Sequence, residues 1–389
     1  MKASSGRVMR GKLIDFLWSI GYDATILCLL PINLMLVPVF RRRYDPHSVL
    51  HISYMIHVPY HTVQILRQQG VKADFLAIGA NNMWDRADYH LTNMRWPFVS
   101  ALRDMIFFWR VMARYEVIHS HFMISLSPTF WDFRLLKRLG RRLIIHFRGC
   151  EARDRERNMA LNPSMNICQE CDYRPRICET RASIHKRALV RRIADAILVT
   201  TPDLLDFWPD ATILSFFVPP DLEMHDPSAK TNNDNTVTIV HATNHPGIEG
   251  TASVERTIES LQKEGYPLRW IFLKGATHDA VLEAFAHADL SIGKMKMGTY
   301  ANAQVESMAL GTPAITHVRE EFMSQELRES GFVLTNLDEL KDTLRRLLED
   351  PTLLAEKTEK ARSSILRLHD NDKLADRLFE IYGWRAVET

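Results

Sequence analysis

Several features are missing from this sequence, and each absence narrows the reading. Charge of one sign does not accumulate: 49 Lys and Arg face 47 Asp and Glu, a formal net charge of +2. No long basic face is needed to explain that balance, which excludes nucleic acid as the main partner. No internal repeat or low-complexity tract is present, so repeat architectures and disordered polymers are set aside. Cysteine is scarce, five in 389 residues. An odd number in a long chain without a cleavable leader points to a reducing compartment. A clean bilayer-spanning run is missing too. The most apolar stretch, 13–40, has a 17-residue run without charge from Ala24 to Phe40, but Asp15 and Asp23 interrupt its first half and Pro31 and Pro38 its second. No small-residue cleavage site follows it, so it is not a signal peptide.

The basic residues that are present are unevenly placed. They collect at Lys2, Arg7, Arg10 and Lys12, at Arg41, Arg42 and Arg43, and between Arg134 and Arg192. An apolar segment between basic flanks suits an in-plane or re-entrant element whose cations meet anionic head groups on the cytoplasmic face of the membrane. The other reading is a hairpin that docks on the protein core. Hydrophobic residues make up 46% of the chain and charged residues 25%. That is a globular composition, and the length suits two α/β domains.

From Ser48 the pattern alternates strand and helix. Strands are expected at Val49–Ser53, Ala73–Ile78, Glu116–His121, Arg142–Phe147 and Ile197–Val199, with helices at His61–Gly70, Pro97–Arg114 and Ser183–Ile193. The stretch 216–235, rich in Pro, Asp and Asn, reads as a linker. A second series follows, with strands at Thr236–His241, Trp270–Leu273, Leu290–Ile292 and Ala314–Thr316. Its helices are Thr251–Glu264, Thr277–Ala286, Ala303–Leu310, Leu337–Leu348, Pro351–Leu366 and Asp372–Trp384. The expected division is an apolar and basic segment 1–45, a first domain 46–215 with a Cys-rich insertion near 150–180, the linker, a second domain 236–370, and a final helix in 371–389.

The stretch Ala288–His317 is the most informative. It runs strand, loop, helix, strand, with Gly311 placed to cap the helix, and Glu306 stands one turn into that helix among small residues. In an open α/β sheet such a loop and helix N-terminus form the usual ligand crevice. VESMALGTPAIT resembles the acidic motif of retaining GT-B glycosyltransferases of family 4 (glycosyl transferases group 1). HFRGCEAR at 146–153, ADAILVTTPDLL at 194–205 and HATNHPGIEGT at 241–251 resemble further segments of that family in the same order. The resemblance covers about residues 48–385.

It implies a GT-B fold: two doubly wound Rossmann-like domains facing a cleft, here with the apolar N-terminal extension. The first domain would take the acceptor, the second the nucleotide sugar, and the last helix would cross back onto the first. The implied donor-binding residues are His245, Gly250, Thr251, Lys274, Lys294, Gly298, Tyr300, Asn302 and Glu306; the implied catalytic residues are Arg148, Glu151 and His121. His119 and His121, two apart on a strand, share a face, and His121 lies nearer the crevice; a packed core histidine is the equal alternative. In the 148–153 loop Arg148, Cys150 and Glu151 stand where the family has His, Ser and Asp, while Gly149 and Arg153 match. His57-Val58-Pro59 replaces a common Gly-Gly pair. In the 241–251 loop Pro246 and Glu249 occupy the positions of the arginine and lysine that stabilise the leaving diphosphate, leaving Lys274, Lys294, Lys296 or Arg148 as possible substitutes. Gly298 stands eight residues before Glu306, where the family has a first acid. No Asp-x-Asp motif lies in a suitable loop, which agrees with metal-free GT-B catalysis.

Cys168, Cys171 and Cys178 form a C-x2-C-x6-C array, and Cys150 could supply a fourth thiolate for a structural zinc. Free buried thiols fit as well, and a disulfide is the third choice. The function expected is transfer of a sugar from a nucleotide sugar to a glycan or lipid-linked acceptor in cell-surface polysaccharide or glycoconjugate synthesis, by a peripheral or monotopic protein on the inner membrane face. The alternatives are a GT-B protein that has lost turnover and acts as a sugar-nucleotide sensor or scaffold, and a doubly wound enzyme such as a nucleotide-sugar epimerase.

Overall fold

The computed structural model describes residues 17–79, 84–127, 129–161, 165–223 and 236–384. The basic cluster from Lys2 to Lys12, the start of the apolar segment and the linker residues 224–235 lie outside the described residues.

Two wholly parallel sheets organise the chain. The first comprises β1 (Asp45–Ser53), β2 (Lys72–Ile78), β3 (Tyr89–Leu91), β4 (Tyr115–His121), β5 (Arg142–Phe147), β6 (Ala196–Val199) and β7 (Thr212–Ile213), in the order β3-β2-β1-β4-β5-β6-β7. The second comprises β8 (Val237–Ala242), β9 (Leu268–Leu273), β10 (Leu290–Ile292), β11 (Ala314–Thr316) and β12 (Val333–Leu334), in the order β12-β11-β10-β8-β9. Central strands are buried along most of their length because helices cover both faces, which explains runs such as Leu143-Ile144-Ile145 that do not alternate with polar residues. The expected pair of doubly wound Rossmann-like domains is what the chain forms.

Strand order reverses between β1 and β4 in one sheet and between β8 and β10 in the other. The loops at those two points form the crevice where an open sheet binds its ligand. The loop after β1 leads into the helix His57–Gln68. The loop after β8 leads into the short helix Pro246–Glu249 and then Thr251–Lys263. After β9 and β10 come the helices His278–Ala286 and Asn302–Ala309.

Some boundaries differ from the sequence expectation. The first crossover helix starts at His57, four residues early, because Pro59 falls within its first turn, where a missing N–H costs nothing. The helix from Pro97 ends at Arg110 and gives way to a tight turn, Met112–Arg114. The edge strands β3, β7 and β12 have two or three residues each, too short for a periodic signal. At the start of the linker Val218 is buried and exchanges two hydrogen bonds with the Asn371 side chain, 3.0 and 2.9 Å. The helix Asn371–Tyr382 then packs Leu378, Phe379 and Tyr382 against the first sheet's core. Each such buried side chain contributes about 1.5–3 kcal/mol.

The apolar N-terminal segment is a pair of helices, Leu17–Cys28 and Leu30–Phe40, bent by 57°. Among the described residues no single helix is long and apolar enough to cross a membrane.

Candidate functional site

A cavity of about 340 Å³ opens between the sheets, lined from the first by Ile56, His57, Val58 and Trp84 and from the second by residues that include His245, Glu249, His278, Asn302 and Glu306. Glu306 lies at its centre, 2% exposed. Its Oε1 accepts hydrogen bonds from His278 Nε2 at 2.8 Å and Asn302 Nδ2 at 2.7 Å, and His57 Nε2 stands 3.3 Å away. Asn302 Nδ2 is also 3.1 Å from His57 Nε2. The two imidazoles stack with centroids 3.9 Å apart, and Trp84 meets both edge-on. Each domain thus sends one histidine to the same carboxylate. Burial alone would raise the Glu306 carboxyl; His57 and His278, by charge and hydrogen bonding, outweigh it and hold the group well below the usual carboxylate range. The converse holds for His278, which burial would lower but Glu306 lifts above the ordinary histidine value. The site therefore keeps an ionised acid that accepts hydrogen bonds next to an imidazole that favours its charged form.

The loop after β8 is held from two sides. Glu249, buried, pairs with Lys294 from the loop after β10, so the acid and the cation neutralise each other. Thr251 Oγ1 bonds His241 Nε2 at 2.8 Å, and Gly250, with φ 84°, turns the chain into the helix Thr251–Lys263 in a conformation that suits glycine. From the first domain the Cys-rich insertion reaches across: Asp172 contacts His245 at 3.3 Å, Tyr173 packs on the His245 ring, and Glu170 pairs with Lys296. The backbone carbonyl of Glu170 lies so near Gly247 that a Cβ there would collide with it.

Among the other expected donor residues, Lys274 is exposed at the end of β9, just after Leu273, which lines the cavity. Gly298 lies against the Arg319 side chain, and Tyr300 bonds His369 Nε2 at 3.1 Å beside a separate cavity. The structure brings His245, Asn302 and Glu306 together and leaves Gly298 and Tyr300 outside.

Arg148, Glu151 and His121 do not line the cavity; they belong to a buried chain behind it. Glu151 accepts the Arg148 and Gly149 amides, 2.5 and 3.1 Å, and so caps its own loop. Arg148 Nε donates to His121 Nδ1 at 2.8 Å. That donor sets every tautomer after it. His121 Nε2 then donates to His51 Nδ1 (2.9 Å), His51 Nε2 to the Tyr382 oxygen (3.3 Å), and Tyr382 to His119 Nδ1 (2.6 Å). Next, His119 Nε2 donates to His146 Nδ1 (3.2 Å) and His146 Nε2 to Thr200 Oγ1 (3.0 Å). The four histidines lie on one face of β1, β4 and β5, fixed by the register His51 to His119 and His121 to His146. Burial first, then Arg148, pushes His51 down to about 3 and His121 and His146 well below the ordinary value; burial and His51 do the same for His119. The Arg148 guanidinium itself is lowered by burial to about 9, and its Nη1 has no partner among the described residues.

Among the described residues two sets of side chains hold their ligating atoms within 4.8 Å of one another, His51 with His119 and His121, and His57 with His278 and Glu306. The first has a guanidinium beside it, which opposes a dication; the second faces the cavity. Cys150, Cys168 and Cys171 pack in one small cluster with Ile167 and Tyr173, and Cys178 lies within electrostatic reach of Cys150 and Cys168. Burial raises Cys150 to about 11 and also raises Cys168 and Cys178, so without a metal these groups are thiols.

His57, His278 and Trp84 escape sequence reasoning, although His57 is conspicuous as a departure from the Gly-Gly pair. His278 has no local signal.

No protein-family model and no curated protein matches the chain. Solved structures match its fold. The chain is similar to the sucrose-phosphate synthase of Thermosynechococcus elongatus, at 14% identity and TM-score 0.55 over 87% of this chain and 98% of that one. It is similar to an alpha-glucosyltransferase solved with UDP and a 13-mer DNA, at 12% and 0.57 over 86% and 99%, and to HepE of Anabaena solved with UDP-glucose, at 10% and 0.54 over 87% and 100%. These neighbours are GT-B glycosyltransferases, and at such identities the likeness shows the fold.

Proposed function

We propose that the chain is a glycosyltransferase that moves a sugar from a nucleotide-sugar donor to a glycan or lipid-linked acceptor. The observation that carries this reading is Glu306, an ionised acid in the interdomain cavity gripped by a histidine from each domain. An ionised carboxylate accepts hydrogen bonds from hydroxyls and repels phosphate, so Glu306 takes a hydroxyl of the donor's sugar or nucleoside. The diphosphate lies toward the N-terminus of the helix Thr251–Lys263, whose dipole favours an anion. As the acceptor hydroxyl oxygen bonds the anomeric carbon, the bond from that carbon to the diphosphate oxygen breaks; its electron pair goes to the diphosphate, which takes up the hydroxyl's proton. His278 is the cavity-lining group that offsets the growing charge, while Lys294 is held by Glu249. The first domain takes the acceptor. Arg148, oriented by His121, and Glu151 are positioning residues of the 148–153 loop, since none of them lines the cavity.

Retention of configuration and metal-free catalysis follow from the resemblance of the 305–316 segment to family 4. The C-x2-C-x6-C spacing of Cys168, Cys171 and Cys178, with Cys150 in the same cluster, supports a structural zinc, read as about one equivalent by elemental analysis of protein purified without added metal. The bent helix pair 17–40, flanked by Arg41, Arg42 and Arg43, supports attachment to the inner face of the cell membrane as a peripheral or monotopic protein. A panel of nucleotide sugars tests the function, scored by thermal shift and by nucleoside diphosphate release with EDTA present. At least one donor should stabilise the fold and be turned over. A panel with neither response would sink the reading.

A further inference from the structure

The helix Pro97–Arg110 is apolar on both faces. It buries Ala101, Met105, Phe108 and Trp109, with Ser100 and Asp104 among them, and still turns Phe98, Leu102 and Ile106 outward, 55%, 50% and 45% exposed. Those three are four residues apart and form one stripe. The helix Leu30–Phe40 packs Leu36, Val37 and Phe40 on the core and likewise turns Ile32, Leu34, Met35 and Val39 outward. Its one buried residue is Asn33, which accepts from Trp109 Nε1 at 2.7 Å and donates to Leu29 O, while Met35 is 75% exposed. Asp23, the one charged residue between 17 and 40, turns inward to Ser127 and Thr129. In water a surface helix turns polar residues outward instead.

The two exposed apolar faces form one surface. Trp18 Nε1 donates to Met94 O at 3.0 Å, Gly21 lies against Pro97, and Tyr22 donates to Asp104 at 2.9 Å. The exposed apolar residues of 17–39 and 94–106 therefore lie side by side, although the sequence signal covers the first group alone. Exposed arginines adjoin both: Arg41, Arg42 and Arg43 follow one helix, and Arg95, Arg110 and Arg114 bracket the other. Trp18 and Trp96 are amphipathic rings of the kind that settle at a lipid–water boundary.

We propose that the helix Pro97–Arg110 is a second membrane-docking element, so that the first domain lies on an anionic lipid surface through a composite face built from it and the bent helix pair. The inference deepens the membrane reading above and rests on it. Lipid, and not a protein partner, is the occupant because apolar side chains and a cationic rim together match acyl chains beneath anionic head groups. A surface laid flat on the bilayer would bring the first domain's acceptor side within reach of a lipid-linked acceptor.

The test is co-sedimentation of the full chain with phosphatidylcholine vesicles with and without phosphatidylglycerol. The triple variant Phe98→Gln/Leu102→Gln/Ile106→Gln should lose at least tenfold in partitioning to anionic vesicles. The control Leu161→Gln/Ile184→Gln/Leu353→Gln, equally exposed but elsewhere, should bind as the wild type does. Circular dichroism melts establish that both fold. Unchanged partitioning of the first variant, beside loss in Ile20→Gln/Leu27→Gln/Met35→Gln, would overturn the second element and leave the membrane reading standing. A wild type that ignores anionic vesicles would overturn both. A lipid-free wild-type dimer that the 98/102/106 variant makes monomeric, with no vesicle binding, would assign the face to a second copy of the chain.

Discussion

His51, His119, His121 and His146 on one side, and His57 and His278 on the other, all stand toward the carboxyl ends of strands or on the helices that follow them, yet their surroundings give them opposite tasks. The first four have, among the described residues, no carboxylate partner. Arg148 donates into one end of their chain, so every lone pair is taken in one direction and each ring stays neutral. A proton added anywhere would set two N–H groups against each other. His57 and His278 share Glu306, and a proton on His278 gains a partner there. Histidine content therefore says little about function; the presence of an acid within 3 Å or so decides whether the imidazole is structure or charge.

The contrast breaks most visibly with pH. The buried four have folded-state values below the unfolded 6.5, so the unfolded chain binds more protons as pH falls below 6.5, and stability should drop by about 1.4 kcal/mol per pH unit for each histidine that stays neutral. His278 has the reverse sign: its folded value is raised, so its contribution is present below about 6.5 and is lost as pH rises through the elevated value. Urea unfolding midpoints from pH 5 to 9 should therefore fall steeply on the acid side and slightly on the alkaline side. A profile flat between pH 5 and 7 would mean that the four rings are protonated within the fold. Tyr382→Phe sharpens the contrast. It strands the His51 N–H and the His119 lone pair and should cost about 1–3 kcal/mol of stability, while donor affinity stays within twofold; a large affinity loss would tie the buried chain to the donor site. Glu249→Gln should have the smallest effect. Freed from its acid, Lys294 should raise donor affinity severalfold in a titration, within about 1 kcal/mol; weaker binding would mean that Glu249 itself touches the donor.

The two-sheet fold was legible because its central strands are continuous apolar runs and its crossover helices carry glycine caps. Glu306 was legible because acid, small-residue helix and Gly-Thr-Pro turn are contiguous in sequence. Its two histidines were not. His57 and His278 lie on different domains, and only the closing of one sheet on the other makes them neighbours. Strand parity puts His119 and His121 on one face, but it cannot show that His51 and His146 complete the chain or that the terminal Tyr382 links them. The apolar segment 13–40 was conspicuous as an uncharged run, whereas the stripe of Phe98, Leu102 and Ile106 is diluted by the polar residues that its helix buries.

The most direct test of Glu306 as the donor's anchor is isothermal titration, at pH 6.0 and 8.5, of the nucleotide sugar that stabilises the wild type, into the wild type and Glu306→Gln. A charge-assisted contact of about 1.5–3 kcal/mol predicts an affinity roughly 10- to 100-fold weaker in the variant. The wild type should also bind more weakly as pH rises and His278 loses its proton, and the variant should lose that dependence. Equal affinity and equal pH dependence in the two proteins would contradict the account.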